Sequence, residues 1–141
     1  MSVKAYVFDG TRRLRLKNEP TGAGALKQQK EELKAYTAQN LQEAAELQEK
    51  LYAAGQEGLI IAIQARDAAG KDSLIKHVFS ALNPQALEVH AFKSPNAAEL
   101  SHDYLWRVEQ VLPPRGKIGV LNRSHYEDVL IVRVQHLEKT Y

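Results

Sequence analysis

The apolar positions of this 141-residue chain follow two different periods. From Leu59 to Ile63 they form an unbroken run rich in β-branched residues, which predicts a parallel strand buried on both faces. Beyond Ala65-Arg66-Asp67-Ala68-Ala69-Gly70-Lys71 the spacing changes. Leu74, Ile75, Val78, Phe79 and Leu82 recur at helical intervals, and Asn83-Pro84 stops that helix. Further strands are predicted over residues 87–92 and 117–122, where Ile118 and Val120 are apolar. Between them runs a helix carrying Leu100, Tyr104, Leu105, Val108 and Leu112. It opens at Asn96 with Glu99 as reciprocal cap, or one turn earlier at Ser94-Pro95, and it stops at Pro113-Pro114-Arg115-Gly116. Ser124-His125-Tyr126-Glu127 reads as a capping box for a last helical stretch over 129–134, which is expected to engage Glu127.

Upstream, Leu33, Leu41, Ala44, Leu47 and Leu51 space out one long amphipathic helix that ends near Ala54-Gly55. Its expected place is against the core, with a dimer contact as the alternative. Val3, Ala5 and Val7, the Asp9-Gly10 turn, and Leu14 and Leu16 predict a hairpin whose basic residues form a solvated face. The expected layout is therefore a hairpin and linker over 1–24, the long helix over 25–55, and an α/β core over 56–141. Alternation of strand and helix means a parallel sheet with right-handed crossovers. Ligands of such sheets gather at the carboxyl ends of the strands. Those ends are Ala65 to Lys71, Phe92 to Asn96 and Leu121 to Ser124, all small, polar or basic.

Composition adds exclusions. Apolar content of 44% and charged content of 26% are those of an ordinary globular domain. The net charge of +2 argues neither for nor against a polyanionic partner. With no cysteine there is no disulfide framework and no thiolate chemistry. No apolar run reaches membrane-spanning length, and the start of the chain lacks the apolar core of a signal peptide, so a cytoplasmic location is expected.

The sharpest chemical signal is the strand, small-residue loop, Gly-Lys and helix around Gly70-Lys71, the plan of a phosphate-binding P-loop. Backbone N–H groups in the loop and at the helix N-terminus, that of Gly70 among them, are expected to point at an anion, and Lys71 adds a point charge. The fit to G-x-x-x-x-G-K-[ST] is incomplete. Ala65 stands at the first Gly position, which is tolerable only if φ there is not positive, and Asp72 replaces the hydroxyl residue that binds Mg²⁺. A structural strand-to-helix turn meets the bare pattern as well. Asp67 inside the loop suits metal binding or orientation of an acceptor, or a turn aspartate bonding its own backbone. Asn122 ends a strand where a neutral oxygen can reach Mg²⁺. Arg123 follows it, and Arg66, Lys93, Arg107 and Arg133 are further cations. His102, His125 and His136 have no metal-ligand spacing, and Tyr104 and Trp106 sit at core-like positions.

ARDAAGKDSLIKHVFSALNP, FKSPNAAELSHDYLWR and PRGKIGVLNRSHYEDVLIVRV closely resemble three successive blocks of polyphosphate kinase family 2. LQEKLYAAGQEGLIIAIQ is similar to the helix and strand that precede them, and the NRSHYEDV form looks most like the subgroup acting on both AMP and ADP. The resemblance implies a P-loop kinase-like three-layer α/β/α fold. It also implies transfer of the terminal phosphoryl group of inorganic polyphosphate to AMP or ADP, or the reverse from ATP, with Mg²⁺. Carried over by position, Asp67, Lys71 and Arg123 are the expected catalytic residues, Asp67 and Asn122 the metal ligands. Arg66, Ala68, Ala69, Gly70, Asp72, Ser73, Lys93 and Asn122 are the expected phosphate and nucleotide contacts. A homo-oligomer is expected, with neither nucleic acid nor membrane as partner.

Two departures from the family stand out. Ala65 replaces its usual Gly, which is expected to perturb the loop without abolishing it. Family members also continue past the position of Tyr141 with more strands and a basic lid. The sheet is therefore expected to be incomplete, with an unpaired edge and uncovered apolar surface. An inactive fragment, or a module that binds polyphosphate or nucleotide without turnover, is the alternative function. An ordinary ATP-dependent small-molecule kinase is a third reading, disfavoured by the missing Ser or Thr after Lys71.

Overall fold

A computed structural model describes residues 29–131 together with residues 10, 11, 13, 15, 17 and 22. The expected hairpin, the first residues of the long helix and the end of the last helical stretch lie outside these residues. The chain divides into two compact units, Met1–Asn40 and Leu41–Tyr141. The first contributes the opening turns of α1 (Lys30–Ala54), where Glu31 pairs with Lys34 at 2.8 Å. Glu31 and Glu32 also place negative charge at the positive end of the helix dipole.

In the second unit α1 ends where expected, with the Gly55 N–H reaching Leu51 O at 3.1 Å. Three parallel strands follow, β1 (Leu59–Ile63), β2 (Leu87–Ala91) and β3 (Ile118–Asn122), in the order β1-β3-β2. Leu59 and Leu87 both align with Ile118, and Ile63 and Ala91 both align with Asn122, so all three carboxyl ends are level. Lys117, just before β3, donates to Glu88 of β2 at 2.8 Å, and that bond raises the lysine pKa above its ordinary value.

The strand buried throughout is β3, where Ile118, Gly119, Val120 and Leu121 are all buried, and not β1. Among the described residues β1 pairs on one side only, and Leu59 and Ile60 are 46% and 47% exposed despite their apolar run. Uncovered apolar surface was expected of a short sheet, and it is present. Val89 on β2 and Leu74 on the helix that follows β1 are half exposed as well.

Phe79, Ile118 and Val120 centre the core, with Leu51 of α1 and Ile61 and Ile63 of β1 packed on them. α2 (Lys71–Val78) continues as a 3-10 turn, Phe79–Ala81, before Asn83 caps a second one, Pro84–Ala86. Gln48, 2% exposed, ties α1 to that junction by a reciprocal pair, Nε2 to Asn83 O at 3.1 Å and Oε1 from Asn83 N at 2.8 Å. On the other side of β3, Gly119 meets Pro113, whose Cδ would lie 2.8 Å from any β-carbon.

The helix expected from Asn96 to Leu112 is two short ones, α3 (Ala97–Leu100) and α4 (Trp106–Glu109). Asn96 and Glu99 form the expected capping box. Ser101 Oγ then bonds Ala98 O, and Asp103 Oδ1 accepts from Leu105 N, so side chains take over backbone partners and the helix restarts. The last described segment, Glu127–Ile131, is π-helical.

Candidate functional site

The level strand ends make one cleft of about 450 Å³, lined by residues 67–73, 91–93 and 122–123. Of the expected site residues, all but Arg66 line it; the structure adds Ala91 and Phe92.

The loop after β1 closes with Ala69 N donating to Arg66 O at 3.2 Å. The third residue of that Arg66–Ala69 turn, Ala68, has φ +60°, where glycine or asparagine is usual. Among the described residues only Ala68 and Arg123 take positive φ without being glycine, so Ala65 occupies the first Gly position without that strain. Gly70 leads into α2 at φ +93°, a conformation that a β-carbon would strain. The first N–H groups of α2 have no intrahelical acceptor, and their residues, Lys71, Asp72 and Ser73, line the cleft.

Each strand end brings one cation, and each is held differently. Lys71 is buried, its Nζ donating to Ala65 O at 2.8 Å and Arg66 O at 3.0 Å, so the ammonium braces the loop. Arg123, at φ +65°, donates Nη2 to Asp67 Oδ1 at 3.2 Å, and its Nε lies 4.0 Å from Glu127. Lys93, after β2, is exposed.

Asp67 is 92% exposed and takes its hydrogen bond from Arg123, with Lys71 Nζ at 4.0 Å. Asp72, at the hydroxyl position of the loop pattern, accepts from Asn122 Nδ2 at 2.7 Å. That bond settles the amide orientation, because the Asn122 oxygen facing a carboxylate would be repelled. Asn122 Oδ1 is left buried with no hydrogen-bond partner among the described residues.

Glu127 departs from its expected role. It accepts from Gln64 Nε2 at 2.8 Å, so it ties β1 to the segment after β3 rather than closing a cap. The expected capping box does not form: Ser124 Oγ accepts from Tyr126 N at 3.3 Å, and Glu127 N bonds the Ser124 backbone oxygen instead. Beside it, burial pushes the Asp128 carboxyl above its ordinary pKa, with Arg107 pulling the other way.

A second cleft, about 620 Å³, shares Ala91, Phe92 and Lys93 with the first and is walled by Trp106, Arg107 and Val111. Arg107, expected only as one of several further cations, lines this second cleft, and so does Phe92, for which the sequence carries no chemical signal. Arg107 stacks over Phe92, Cζ to ring centroid 4.7 Å. Trp106 stacks on His102 at 4.2 Å.

Among the described residues no helix is long and apolar enough to cross a membrane. No three acidic, histidine or cysteine side chains gather into a metal cluster among them.

A family profile described as Polyphosphate kinase 2 matches residues 27–140. An ADP-polyphosphate phosphotransferase of Rhodopseudomonas palustris is 47% identical over 115 residues, 82% of this chain and 40% of its own length. An AMP/ADP-polyphosphate phosphotransferase of Meiothermus ruber is 52% identical over 91 residues, 64% of this chain and 34% of its own. The crystal structure of polyphosphate kinase 2 from Arthrobacter aurescens superposes with a TM-score of 0.71 at 46% identity, covering 74% of this chain and 38% of that one. The chain thus spans two fifths or less of the length of these relatives.

Proposed function

Because the chain belongs to the polyphosphate kinase 2 family, we propose that its strand-end cleft transfers the terminal phosphoryl group of inorganic polyphosphate to AMP or ADP. The observation that carries this reading is the convergence of Lys71, Lys93 and Arg123, one from each strand end, on a loop with free helix N–H groups. Phosphoryl transfer needs little covalent help from a protein. It needs in-line positioning and neutralisation of charge on the transferring group. Lys71 and the α2 N-terminus would hold the transferring phosphoryl group. Arg123 would leave Asp67 for it, an exchange between two exposed partners that costs little. Lys93 and the exposed Arg66 would guide the rest of the polyanion. The second cleft offers the acceptor base the apolar walls of Phe92 and Val111, with its phosphates toward Lys93.

The residues fit a divalent cation. Asn122 Oδ1 is a buried hard donor without a partner, beside a cleft that Asp67 also lines. Mg²⁺ characteristically takes one or two protein oxygens and completes its shell with water and phosphate. When bound it would neutralise phosphate charge. Asp67 serves there better as ligand than as base, since a nucleotide phosphate oxygen is already ionised at neutral pH. A homo-oligomer and a cytoplasmic location complete the proposal.

A second reading, binding without turnover, is favoured by one observation: Lys71 Nζ is engaged by loop carbonyls. One assay separates the two. The chain is incubated with polyphosphate, Mg²⁺ and AMP or ADP, with Lys71→Ala and EDTA controls. Product that both controls remove supports turnover. Saturable polyphosphate binding without product supports the binding module. Neither, from a folded chain, overturns both.

A further inference from the structure

Of the three cations at the cleft, two have their side chains tethered. Lys71 is buried on loop carbonyls, and Arg123 is paired with Asp67 and Glu127. Lys93 is different. Its side chain takes part in none of the hydrogen bonds or ion pairs found among the described residues, so its reach is set by its backbone alone. That backbone lies between two fixed points: the Phe92 N–H on Asn122 O at 3.1 Å, and the capping box at Asn96. Between them, Arg107 Nη2 donates to Lys93 O at 2.7 Å.

Arg107 is built to hold that carbonyl. Its side chain is only 10% exposed. Its guanidinium lies over the Phe92 ring, and its Nε is 3.7 Å from Glu99, the same residue that closes the capping box on Asn96. It thus bonds residue 93, stacks on residue 92 and lies within ion-pair distance of residue 99, a combination that a planar guanidinium permits and a point charge does not.

We propose that Arg107 is a positioning residue that sets Lys93 at the phosphate cleft, so that polyphosphate affinity depends on a side chain that does not touch the polyanion. The inference rests on the polyphosphate reading above and adds to it a residue acting through another.

The test is a double-mutant cycle on tripolyphosphate affinity at fixed ionic strength. Lys93→Ala and Arg107→Gln are each expected to weaken binding about tenfold, and the double variant about tenfold as well, because both remove the same contact. Arg107→Gln combined with Lys71→Ala is expected to be additive. A merely structural loosening would couple to Lys71 as strongly as to Lys93, and that result overturns the proposal. So does a Lys93→Ala/Arg107→Gln variant about a hundredfold weaker than wild type. Arg107→Lys, which keeps the charge without the fork, is expected to bind weakly too, and wild-type affinity in it overturns the proposal. Arg107→Lys also carries the cycle if circular dichroism finds Arg107→Gln unfolded. A wild-type chain that binds no tripolyphosphate overturns the functional reading and this inference together, whereas additivity with Lys93 overturns this inference alone.

Discussion

Replacing Lys71 with methionine should separate folding from function. The Lys71 side chain is 8% exposed, and its ammonium holds two loop carbonyls at 2.8 and 3.0 Å. Hydrogen bonds from a charged donor are worth about 1.5–3 kcal/mol each. Against them stands the desolvation of the ammonium, several kcal/mol in effect, with only neutral acceptors close by. Asp67, 4.0 Å away and 92% exposed, returns little of that. Methionine fills nearly the same volume and adapts its shape. Ala65 and Arg66 are exposed, so water can replace the lost donor. The terms nearly cancel, and Lys71→Met should change stability by no more than about 1 kcal/mol, a Tm shift under about 4 °C. Tripolyphosphate affinity should nevertheless fall at least about a hundredfold, about 2.7 kcal/mol. Thermal melting by circular dichroism reads the first quantity and titration calorimetry the second. A Tm drop beyond about 10 °C would refute the cancellation, by showing that the two carbonyl bonds dominate. Unchanged affinity would remove Lys71 from the phosphate site.

Arg123→Gly should weaken tripolyphosphate binding without lowering Tm, since glycine relieves about 1 kcal/mol of strain at φ +65°; a clear Tm loss would contradict this. Gly119→Ala should cost about 1–3 kcal/mol in urea denaturation, because its β-carbon would lie 2.8 Å from Pro113 Cδ within a rigid ring. Asp128→Asn should stabilise the protein at pH 7. Burial raises the folded carboxyl above its ordinary 3.8, so wild-type stability falls as pH rises from that value and the deficit persists above both values. Melting curves of both proteins should converge as pH drops below 3.8, and a gap that persists there would point to another cause.

What the sequence made legible was local. The Asn96–Glu99 box, the stop at Gly55 and the Gly70-Lys71 entry to α2 depend on neighbours a few positions apart, and each is found as expected. The strand order was not legible. β3 carries a glycine and reads as less apolar than β1, yet it takes the central place and β1 the half-exposed one. Periodicity reports which residues seek burial, not which strand receives two partners. The break between α3 and α4 had a usable signal in Ser101 and Asp103, both inclined to bond nearby backbone groups. Glu127 had none, because its partner Gln64 is brought from β1 only by the finished sheet. The same holds for Arg107 and Lys93, whose contact joins α4 to a strand end.

The placing of β3 between β1 and β2 also dictates when a sheet can exist at all. Among the described residues every strand pair contains β3, the last of these three strands to be synthesised. Until Ile118 to Asn122 leave the ribosome, β1 and β2 have no partner, and α1 and α2 have only part of a surface to pack on. Folding must then close both long loops in one late event, which places the barrier on contact formation rather than on local structure. A nascent or prematurely ended chain lacking β3 would carry Leu59–Ile63 as a free apolar strand, and its fate is set by chaperone capture or edge-to-edge aggregation.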